Sequence, residues 1–354
     1  MTFARNAWYC AAFATEVGDA PIARRILGDP VMLVRDTAGA VRAIGDRCPH
    51  RFAPLHLGVR DGDTVECPYH GLKFDLNGAC ILNPHGQGRI PATARVPSYP
   101  VAERDGVIWL WPGEAAMADE SEIPDLQLID RGDRAPVSGY LTMPVDYRLV
   151  LDNLMDLSHA AYIHAGTLSP SRAKRESQYD SDDTSIRVHT QMRDVPTPSS
   201  QALYFTEEKG DYHSDIEWVF PGTLRQRLAM TSTGGEADQG AVTRNAHLIT
   251  PETETSTHYF WIHTRNRRMD DTAIDERTRT IITKAFRTED EPMIAACQGY
   301  MDGREFFSLQ PLYLETDYAG TRCRRAIEKR IAGEDRGIGV VDAQLESAGL
   351  PALG

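Results

Sequence analysis

Long apolar runs are absent from this sequence. Runs such as Val31-Met32-Leu33-Val34 suit a strand and are far shorter than the roughly 20 residues that a membrane-spanning helix needs. The first nine residues contain no continuous apolar segment of the kind that a signal peptide requires. We therefore expect neither a membrane span nor a secretion signal, and we expect the protein to reside in the cytoplasm.

Positive charge and cysteine are both scarce. Acidic residues outnumber basic ones by 51 to 38, which gives a net charge of −13 at pH 7. An acidic surface repels phosphates and anionic lipid headgroups, so neither nucleic acid nor a membrane is an expected partner. Six cysteines spread over 354 residues do not suggest a disulfide framework. Metal binding in a reducing compartment is the expected use of some of them.

The pattern along the chain predicts two domains. Residues 1 to about 112 are dense in short strand patterns separated by turns, for example residues 31–35 and 107–111. Residues 113–125 are acidic and rich in small side chains, which is typical of a linker. We place an all-β domain at residues 1–113 and a second domain at residues 114–354.

The second domain mixes helical and strand patterns. Residues 147–163 and 271–301 have helical spacing, and residues 214–220 and 257–263 are strand-like. Residues 165–185 are polar and turn-rich, which predicts a mobile loop. The predicted fold class is α+β, with an all-β domain followed by one that combines an antiparallel sheet with helices.

Two short cysteine–histidine pairs stand in the first domain, Cys48-Pro49-His50 and Cys67-Pro68-Tyr69-His70. Two thiolates and two imidazoles bind either a structural zinc or a [2Fe–2S] cluster in which the histidines hold one iron and the cysteines the other. Each pair supplies one sulfur and one nitrogen, as two similar loops closing over a diiron cluster would require. The cluster is the favoured interpretation and zinc is the alternative. The other cysteines are expected to be ordinary small residues.

A second set of metal-ligand residues falls in the helical pattern of the second domain. Asp156 and His159 share one helical face, whereas His164 lies roughly 140° further round a regular helix. Both histidines reach one metal only if the helix is distorted or ends there, as the following Gly166 would allow. Two imidazoles and one carboxylate bind iron(II) on one face and leave positions open for dioxygen. The residues alone also allow a purely structural role.

The motifs resemble those of a known family. The strings Cys-Pro-His-Arg and Cys-Pro-Tyr-His-Gly match the Rieske signature, and residues 153–164 match Asn-x-x-Asp-x-x-His-x-x-x-x-His. The likeness also covers Asn6-Ala7-Trp8-Tyr9, Ile108-Trp109-Leu110-Trp111-Pro112-Gly113 and Phe286-Arg287-Thr288-Glu289-Asp290. The chain therefore resembles the Rieske non-haem iron oxygenases through nearly its whole length.

The resemblance implies two cofactors. A Rieske [2Fe–2S] cluster would be bound by Cys48, His50, Cys67 and His70 in the N-terminal domain. A mononuclear iron(II) would lie in a helix-grip-like catalytic domain, bound by His159, His164 and Asp290. The residues alone do not separate Asp290 from Glu289 and Glu291, and all three could form a solvated helix face.

The resemblance also implies roles for the other residues of the catalytic motif. Asn153 and Asp156 belong to that motif. In the family this aspartate connects the mononuclear site, through the first histidine, to a Rieske histidine of a neighbouring subunit in a head-to-tail homotrimer. Here Asp156 would act through His159, and the Rieske histidine would be His70 in preference to His50. The residues alone allow Asp156 to be a plain helix partner.

Within the family, the chain is most similar to the branch of vanillate and dicamba O-demethylases. The supporting strings include Asn83-Pro84-His85-Gly86 and His247-Leu248-Ile249-Thr250-Pro251-Glu252-Thr253. The branch implies a reductase with flavin and a [2Fe–2S] centre, or a ferredoxin, as electron donor. It also implies O2-dependent demethylation of a small aromatic acid, a methoxybenzoate such as vanillate, with release of formaldehyde.

The substrate contacts are less well defined by the sequence. By the same resemblance His247 is expected to contact the substrate, although a strand histidine bonded to nearby backbone is an alternative. The substrate carboxylate has candidate partners in Arg225, Arg227 and Thr223. Of His258 and His263, which are five residues apart on one strand, at most one should point inward.

Alternative functions remain open at this point. On the same scaffold they are hydroxylation, N-demethylation or cis-dihydroxylation of another aromatic compound. In a different class, the chain would be a Rieske electron carrier without oxygenase activity.

Overall fold

The computed structural model describes residues 2–126, 136–164, 168, 174–182 and 184–335. The chain divides into two compact units. The N-terminal unit comprises residues 3–123 together with residues 250–254, and the C-terminal unit comprises residues 124–249 and the chain from residue 255. The division after residue 123 lies ten residues beyond the boundary predicted at residue 113, and the return of residues 250–254 to the first unit was not anticipated.

The N-terminal unit is built from strands, as the sequence predicts. In chain order they are β1 (Tyr9–Phe13), β2 (Ile22–Ile26), β3 (Asp29–Arg35), β4 (Val41–Gly45), β5 (Val59–Asp61), β6 (Thr64–Glu66), β7 (Lys73–Asp75), β8 (Cys80–Leu82), β9 (Ser98–Tyr99), β10 (Val101–Arg104) and β11 (Val107–Leu110). They form three sheets with the orders β1-β11-β10, β2-β3-β4-β9 and β5-β6-β7-β8. Cys48 and Cys67 lie in the same buried cluster as Ile44, Val65 and Phe74, so the sheet core anchors both cysteine loops.

The C-terminal unit contains a seven-stranded antiparallel sheet and helices, which confirms the α+β class. Its strands are β12 (Val137–Met143), β13 (Glu176–Ser181), β14 (Ser185–Pro196), β15 (Lys209–Val219), β16 (Thr223–Thr231), β17 (Ala241–Thr253) and β18 (Ser256–Arg265), in the order β12-β18-β17-β16-β15-β14-β13. Its helices are α1 (Tyr147–Met155), α2 (Ala160–Ile163), α3 (Thr272–Lys284), α4 (Glu291–Tyr300) and α5 (Tyr318–Asp335). None of the described helices is long and apolar enough to cross a membrane.

A π-helical segment, Ala285–Asp290, joins α3 to α4 and makes one continuous helical stretch. The predicted helix over residues 271–301 is therefore confirmed, although its π-helical centre was not foreseen. Such π-helical segments are rare in proteins overall, and many of those that occur lie at functional sites.

The predicted helix over residues 147–163 is wrong at Asp156. This residue has the extended angles φ −117° and ψ 92°, so α1 ends at Met155. The Asp156 carboxylate accepts a hydrogen bond from the Ser158 N–H and thereby caps a short 3-10 turn, which α2 follows. Aspartate favours such caps because its side chain competes with the helical backbone for hydrogen bonds.

The predicted mobile loop over residues 165–185 is wrong for Glu176–Ser181, which form β13 and pair with β14. This strand lies at the edge of the sheet and is polar, so its sequence resembles a loop. Residues 165–167, 169–173 and 183, Gly166 among them, lie outside the described residues.

An ion pair connects α5 to α1. The Arg324 guanidinium, only 3% exposed, donates a hydrogen bond from Nε to Asp152 Oδ2 at 2.7 Å, and its Nη2 lies 2.6 Å from the same oxygen as an ion pair. Its central carbon also lies 4.3 Å from the centroid of the Phe306 ring. Burial raises the pKa of Asp152, and the charge and hydrogen bond of Arg324 act in the opposite direction. The pair fixes the helix that carries Asn153.

Replacing Arg324 with methionine leaves the Asp152 carboxylate without its partner. We expect the free energy of unfolding, measured by urea denaturation, to fall by about 3 kcal/mol. The exposed neighbour Arg322 provides the control, because Arg322→Met should cost less than about 0.5 kcal/mol. Equal losses in the two variants would mean that the Arg324–Asp152 pair has no special role.

Candidate metal centres and the adjoining cavity

Two loops of the N-terminal unit, one between β4 and β5 and one between β6 and β7, have the same backbone design. In the first, the Cys48 N–H donates to the Ala53 carbonyl at 2.9 Å, and the Cys48 carbonyl accepts from the Phe52 N–H at 2.9 Å. The second loop repeats the pattern from Cys67, at 2.8 and 3.0 Å. The fourth residue after each cysteine is left-handed, with φ +61° at Phe52 and +69° at Gly71. The loops are therefore similar, as the sequence predicts.

The side chains of these loops bring two sulfurs and two imidazoles together. Cys48 and Cys67 are 1% and 2% exposed, and their thiols lie next to each other. The rings of His50 and His70 are on the outer side, with centroids 4.5 Å apart at 66°. Burial raises the pKa of the Cys48 thiol, while the N–H groups of His50 and Arg51 lower it. Buried sulfurs with outer imidazoles match the donor set of a Rieske cluster.

A third loop adjoins this site. The ring of His85 lies 6.2 Å from that of His70, and His85 Nε2 lies 2.7 Å from the His70 carbonyl oxygen. The neighbouring Pro84 has its Cγ only 3.3 Å from the point that a Cβ of Gly71 would occupy. Glycine at position 71 therefore serves both the left-handed turn and the close approach of Pro84.

In the C-terminal unit, His159, His164 and Asp290 each offer one ligand atom, and these atoms all lie within 4.8 Å of one another. Asp290 Oδ1 is 3.1 Å from His164 Nε2 and 3.5 Å from His159 Nε2. The break at Asp156 and the short α2 bring both rings to the same side, with centroids 5.3 Å apart. The helix is thus distorted in the way that the five-residue spacing requires.

The Asp290 side chain is 1% exposed, and only one of its two carboxylate oxygens accepts a hydrogen bond from the described residues. Its Oδ1 accepts from Asn153 Nδ2 at 3.1 Å, whereas the buried Oδ2 has no hydrogen-bond partner among the described residues. A buried carboxylate oxygen without a partner is costly, and a cation would compensate it. Together with two imidazoles, it forms a donor set that fits a divalent iron.

Glu289 and Glu291, the alternative candidates for the third metal ligand, contact other groups. Glu291 pairs with Arg287 at 3.0 Å. Glu289 Oε2 lies 2.7 Å from His164 Nδ1, on the opposite side of the ring from Asp290. Of the three carboxylates that the sequence left open, Asp290 is the one whose oxygen lies near Nε2 of both histidines.

The Asp156 carboxylate is engaged locally. It accepts from the Ser158 N–H at 2.8 Å and from the Ser158 hydroxyl at 3.0 Å. Its backbone carbonyl, rather than its carboxylate, lies 2.5 Å from His159 Nδ1. The expected connection of Asp156 to a second subunit is untested within a single chain and stays a prediction.

A mostly apolar cavity of about 140 Å³ adjoins His159, His164 and Asp290. Its apolar lining includes Leu157, Leu203, Leu228, Ile281, Ile282 and Phe286. An apolar cavity of roughly 150 Å³ is large enough to hold benzene. The space therefore suits a compound with a single ring next to the metal position.

Alternate residues of β16 face opposite sides of the sheet, and the residues expected to contact the substrate face away from the cavity. Gln226 and Leu228 line the cavity, whereas Arg225 and Arg227 do not. Arg225 pairs with Glu217, and Arg227 pairs with acidic residues on the same outer side of the sheet. Thr223 is buried and is not part of the cavity lining either. These three candidates were wrong because neighbouring strand residues face opposite sides.

The structure shows which of the three strand histidines, His247, His258 and His263, face the cavity. His247 lines the cavity, its Nδ1 lies 2.7 Å from the Tyr259 hydroxyl, and burial lowers its pKa to about 4. His263 lines the cavity and His258 does not, which confirms that only one of these two points inward. His258 instead contacts the Tyr140 hydroxyl at 2.8 Å.

A chain of hydrogen bonds crosses the cavity wall. Asn245 donates from Nδ2 to Gln226 Oε1 at 2.9 Å and accepts from His263 Nδ1 at 2.7 Å. His263 Nε2 accepts from the Tyr204 hydroxyl at 3.2 Å, and Tyr204 contacts the Thr278 hydroxyl at 2.7 Å. Burial lowers the pKa of His263 to about 3, so this ring is neutral at physiological pH. Sequence reasoning missed Gln226 and Asn245, which strand alternation from His247 and Leu228 could have suggested.

Comparisons with known proteins cover both units of the chain. Residues 7–100 match the Rieske [2Fe-2S] domain, and residues 143–333 match the vanillate O-demethylase oxygenase C-terminal domain. The chain is 40% identical to the oxygenase component of chloroacetanilide N-alkylformylase from Rhizorhabdus wittichii strain DC-6, over 94% of this chain and 97% of the relative. It is 39% identical to the oxygenase component of dicamba O-demethylase from Stenotrophomonas maltophilia, over 93% of this chain and 98% of the relative.

A solved structure supports the fold. Dicamba monooxygenase bound to dicamba superposes with a TM-score of 0.86 at 36% identity, covering 95% of this chain and 100% of that one. The chain belongs to the Rieske-type non-haem iron oxygenases, in the family that carries the vanillate O-demethylase C-terminal domain. It is an oxidoreductase that uses a Rieske [2Fe–2S] cluster and a mononuclear non-haem iron.

The buried neutral His263 should make stability depend on pH. An unfolded histidine has a pKa near 6.5, and that of folded His263 is about 3, so the unfolded chain takes up the proton first as the pH falls. Its contribution to stability is complete above pH ~6.5 and is lost by up to about 1.4 kcal/mol per pH unit below it. Between pH ~7 and pH ~5, the free energy of unfolding should therefore decrease more for the wild type than for His263→Gln. Parallel decreases would contradict this assignment.

Proposed function

We propose that this chain is the terminal oxygenase of an aromatic O-demethylase system acting on a methoxybenzoate such as vanillate. A methoxyarene, O2, two electrons and two protons would give a phenol, formaldehyde and water. The observation that carries the proposal is the apolar cavity of single-ring size that adjoins His159, His164 and Asp290. The bound iron supplies the activation of dioxygen, and the cavity supplies orientation and dryness.

The ligand assignments are part of the proposal. We assign Cys48, His50, Cys67 and His70 to the cluster and His159, His164 and Asp290 to the mononuclear iron. Asn153 holds Oδ1 of Asp290 through its amide and so orients that carboxylate. His247 is neutral and buried in the cavity wall, where its imidazole offers a polar contact to the aromatic compound without a charge.

An aromatic acid also brings a carboxylate. Arg175 lines the cavity, and its Nη1 donates to the Leu157 carbonyl at 2.7 Å, which places a guanidinium at the cavity edge. A guanidinium matches a carboxylate in both charge and geometry. This observation supports an acid as substrate and replaces the outward-facing Arg225 and Arg227 in that role.

A second candidate function is N-dealkylation of a neutral anilide. It is favoured by the 40% identity to the chloroacetanilide N-alkylformylase component and by the neutral amides of Gln226 and Asn245 in the wall. Both reactions oxidise a carbon attached to a heteroatom and release a carbonyl compound. The substrate tested therefore distinguishes them.

The electron donor and the assembly belong to the same proposal. The relatives are named as oxygenase components, which supports a separate reductase or ferredoxin as donor. Exposed aromatic side chains stand beside each candidate centre, with Phe52 at 70% and Tyr69 at 61% on the cluster loops and Tyr162 at 66% on α2. Such side chains favour burial against another chain, as in a head-to-tail homotrimer.

Turnover with NADH and a flavin-containing [2Fe–2S] reductase should release formaldehyde in step with O2 consumption when vanillate is supplied. Methoxybenzene, which has the ring and the methoxy group but no carboxylate, is the control and should react more slowly. A chloroacetanilide is tested in parallel. Faster turnover of the anilide, or oxygen use without formaldehyde from any methoxybenzoate, would reject the O-demethylase proposal and favour the second candidate.

The variant Asp156→Asn should retain both metal centres and lose most turnover, because the proposed electron route from the neighbouring subunit passes through this carboxylate. Rapid-mixing measurement of cluster oxidation checks the step directly. His159→Ala is the matched control, since it should lose the mononuclear iron and keep the cluster spectrum. Near-normal turnover in Asp156→Asn would remove Asp156 from the electron route.

A further inference from the structure

The His164 ring is held between two consecutive carboxylates. On one side Nε2 lies 3.1 Å from Asp290 Oδ1, and on the other Nδ1 lies 2.7 Å from Glu289 Oε2. The side chains of His164 and Glu289 are 3% and 17% exposed, so both contacts are shielded from water. The imidazole is therefore fixed in its plane by partners at both nitrogens.

The two carboxylates belong to the π-helical segment. Consecutive side chains on a regular helix diverge by about 100°, which would direct neighbouring carboxylates to different surroundings. Here Glu289 and Asp290 lie at the end of the Ala285–Asp290 segment and reach opposite edges of one ring. Two consecutive carboxylates of this segment therefore contact one histidine.

The two candidate iron-binding histidines have different partners. His159 Nδ1 lies 2.5 Å from the backbone carbonyl of Asp156, whereas His164 Nδ1 lies 2.7 Å from a carboxylate. A carboxylate is the stronger acceptor, and a histidine that donates its far N–H to one becomes a more basic metal ligand in a fixed tautomer.

We propose that Glu289 is a positioning residue for the mononuclear iron. Its carboxylate accepts the Nδ1–H of His164, holds the proton there, and leaves the Nε2 lone pair directed towards the point shared with Asp290 and His159. This role rests on the proposed ligand set and extends it, because Glu289 acts through His164 and is not itself a ligand. It also explains why two acidic residues stand together at positions 289 and 290.

The test measures iron(II) binding rather than turnover. Full-length protein with an intact cluster is depleted of mononuclear iron by a chelator, and its affinity for iron(II) is measured by anaerobic equilibrium dialysis. Glu289→Leu should weaken that affinity by about 10- to 100-fold, since loss of such a partner has effects of this size. Glu289→Gln should lose less, because its amide oxygen still accepts the N–H.

The adjacent carboxylate provides a matched control. Glu291 pairs with Arg287, so Glu291→Gln should bind iron(II) as the wild type does. An unchanged cluster spectrum and melting temperature show that each variant is folded, and if Glu289→Leu does not fold, Glu289→Gln decides. Affinities for Glu289→Leu and Glu289→Gln within twofold of the wild type would overturn the proposal.

The variant His164→Ala distinguishes a failure of the proposed ligand set from a failure of the proposed role of Glu289. If this variant loses iron(II) binding while Glu289→Leu keeps it, the ligand set stands and only the role of Glu289 fails. If His164→Ala itself binds iron(II) normally, the ligand set is wrong.

Discussion

The buried carboxylate of Asp290 is the constraint on which the helices of the C-terminal unit depend. A charge so deep in protein is stable only where opposite charge or hydrogen bonds surround it. Asn153 approaches it from α1, and His159 and His164 approach from the turns beside α2. The Arg324–Asp152 pair in turn holds α1 against α5. These segments converge on one anionic point, and a divalent cation there would complete the balance.

The features that could be predicted were those encoded by local spacing. Each cysteine and its histidine lie within one short loop, so the order of residues indicates a metal site with two sulfur and two nitrogen ligands, and the family resemblance then implies a Rieske cluster. His159 and His164 are equally local, and their five-residue spacing indicated a distorted helix. Asp290 lies over a hundred residues further along, between two other acidic residues. Only the packing of the π-helical segment separates it from them, and hydrophobic periodicity does not predict such a segment.

The errors had physical causes. Arg225 and Arg227 were placed near the substrate because the segment was correct, but the inward face of β16 is determined by its neighbours in the sheet. The strand β13 was predicted as a loop because an edge strand needs few apolar residues. The end of α1 before Asp156 was not predicted because the apolar spacing continues beyond the point where the capping side chain ends the helix. In each case a tertiary or side-chain interaction outweighed the local pattern.

In the catalytic unit the candidate iron ligands and the polar groups of the cavity wall come from different classes of secondary structure. Every residue assigned to the mononuclear iron comes from helices or the turns between them, whereas Gln226, Asn245, His247 and His263 project from strands. Inward positions on those strands alternate with outward ones, so a single replacement reshapes the cavity and leaves the iron ligands in place. These polar strand positions can therefore change independently of the iron ligands, whereas Leu157, Ile281, Ile282 and Phe286 bring the apolar lining from the helical segments. We therefore expect replacements at these strand positions to change which compound the cavity accepts and to leave the iron ligands unchanged.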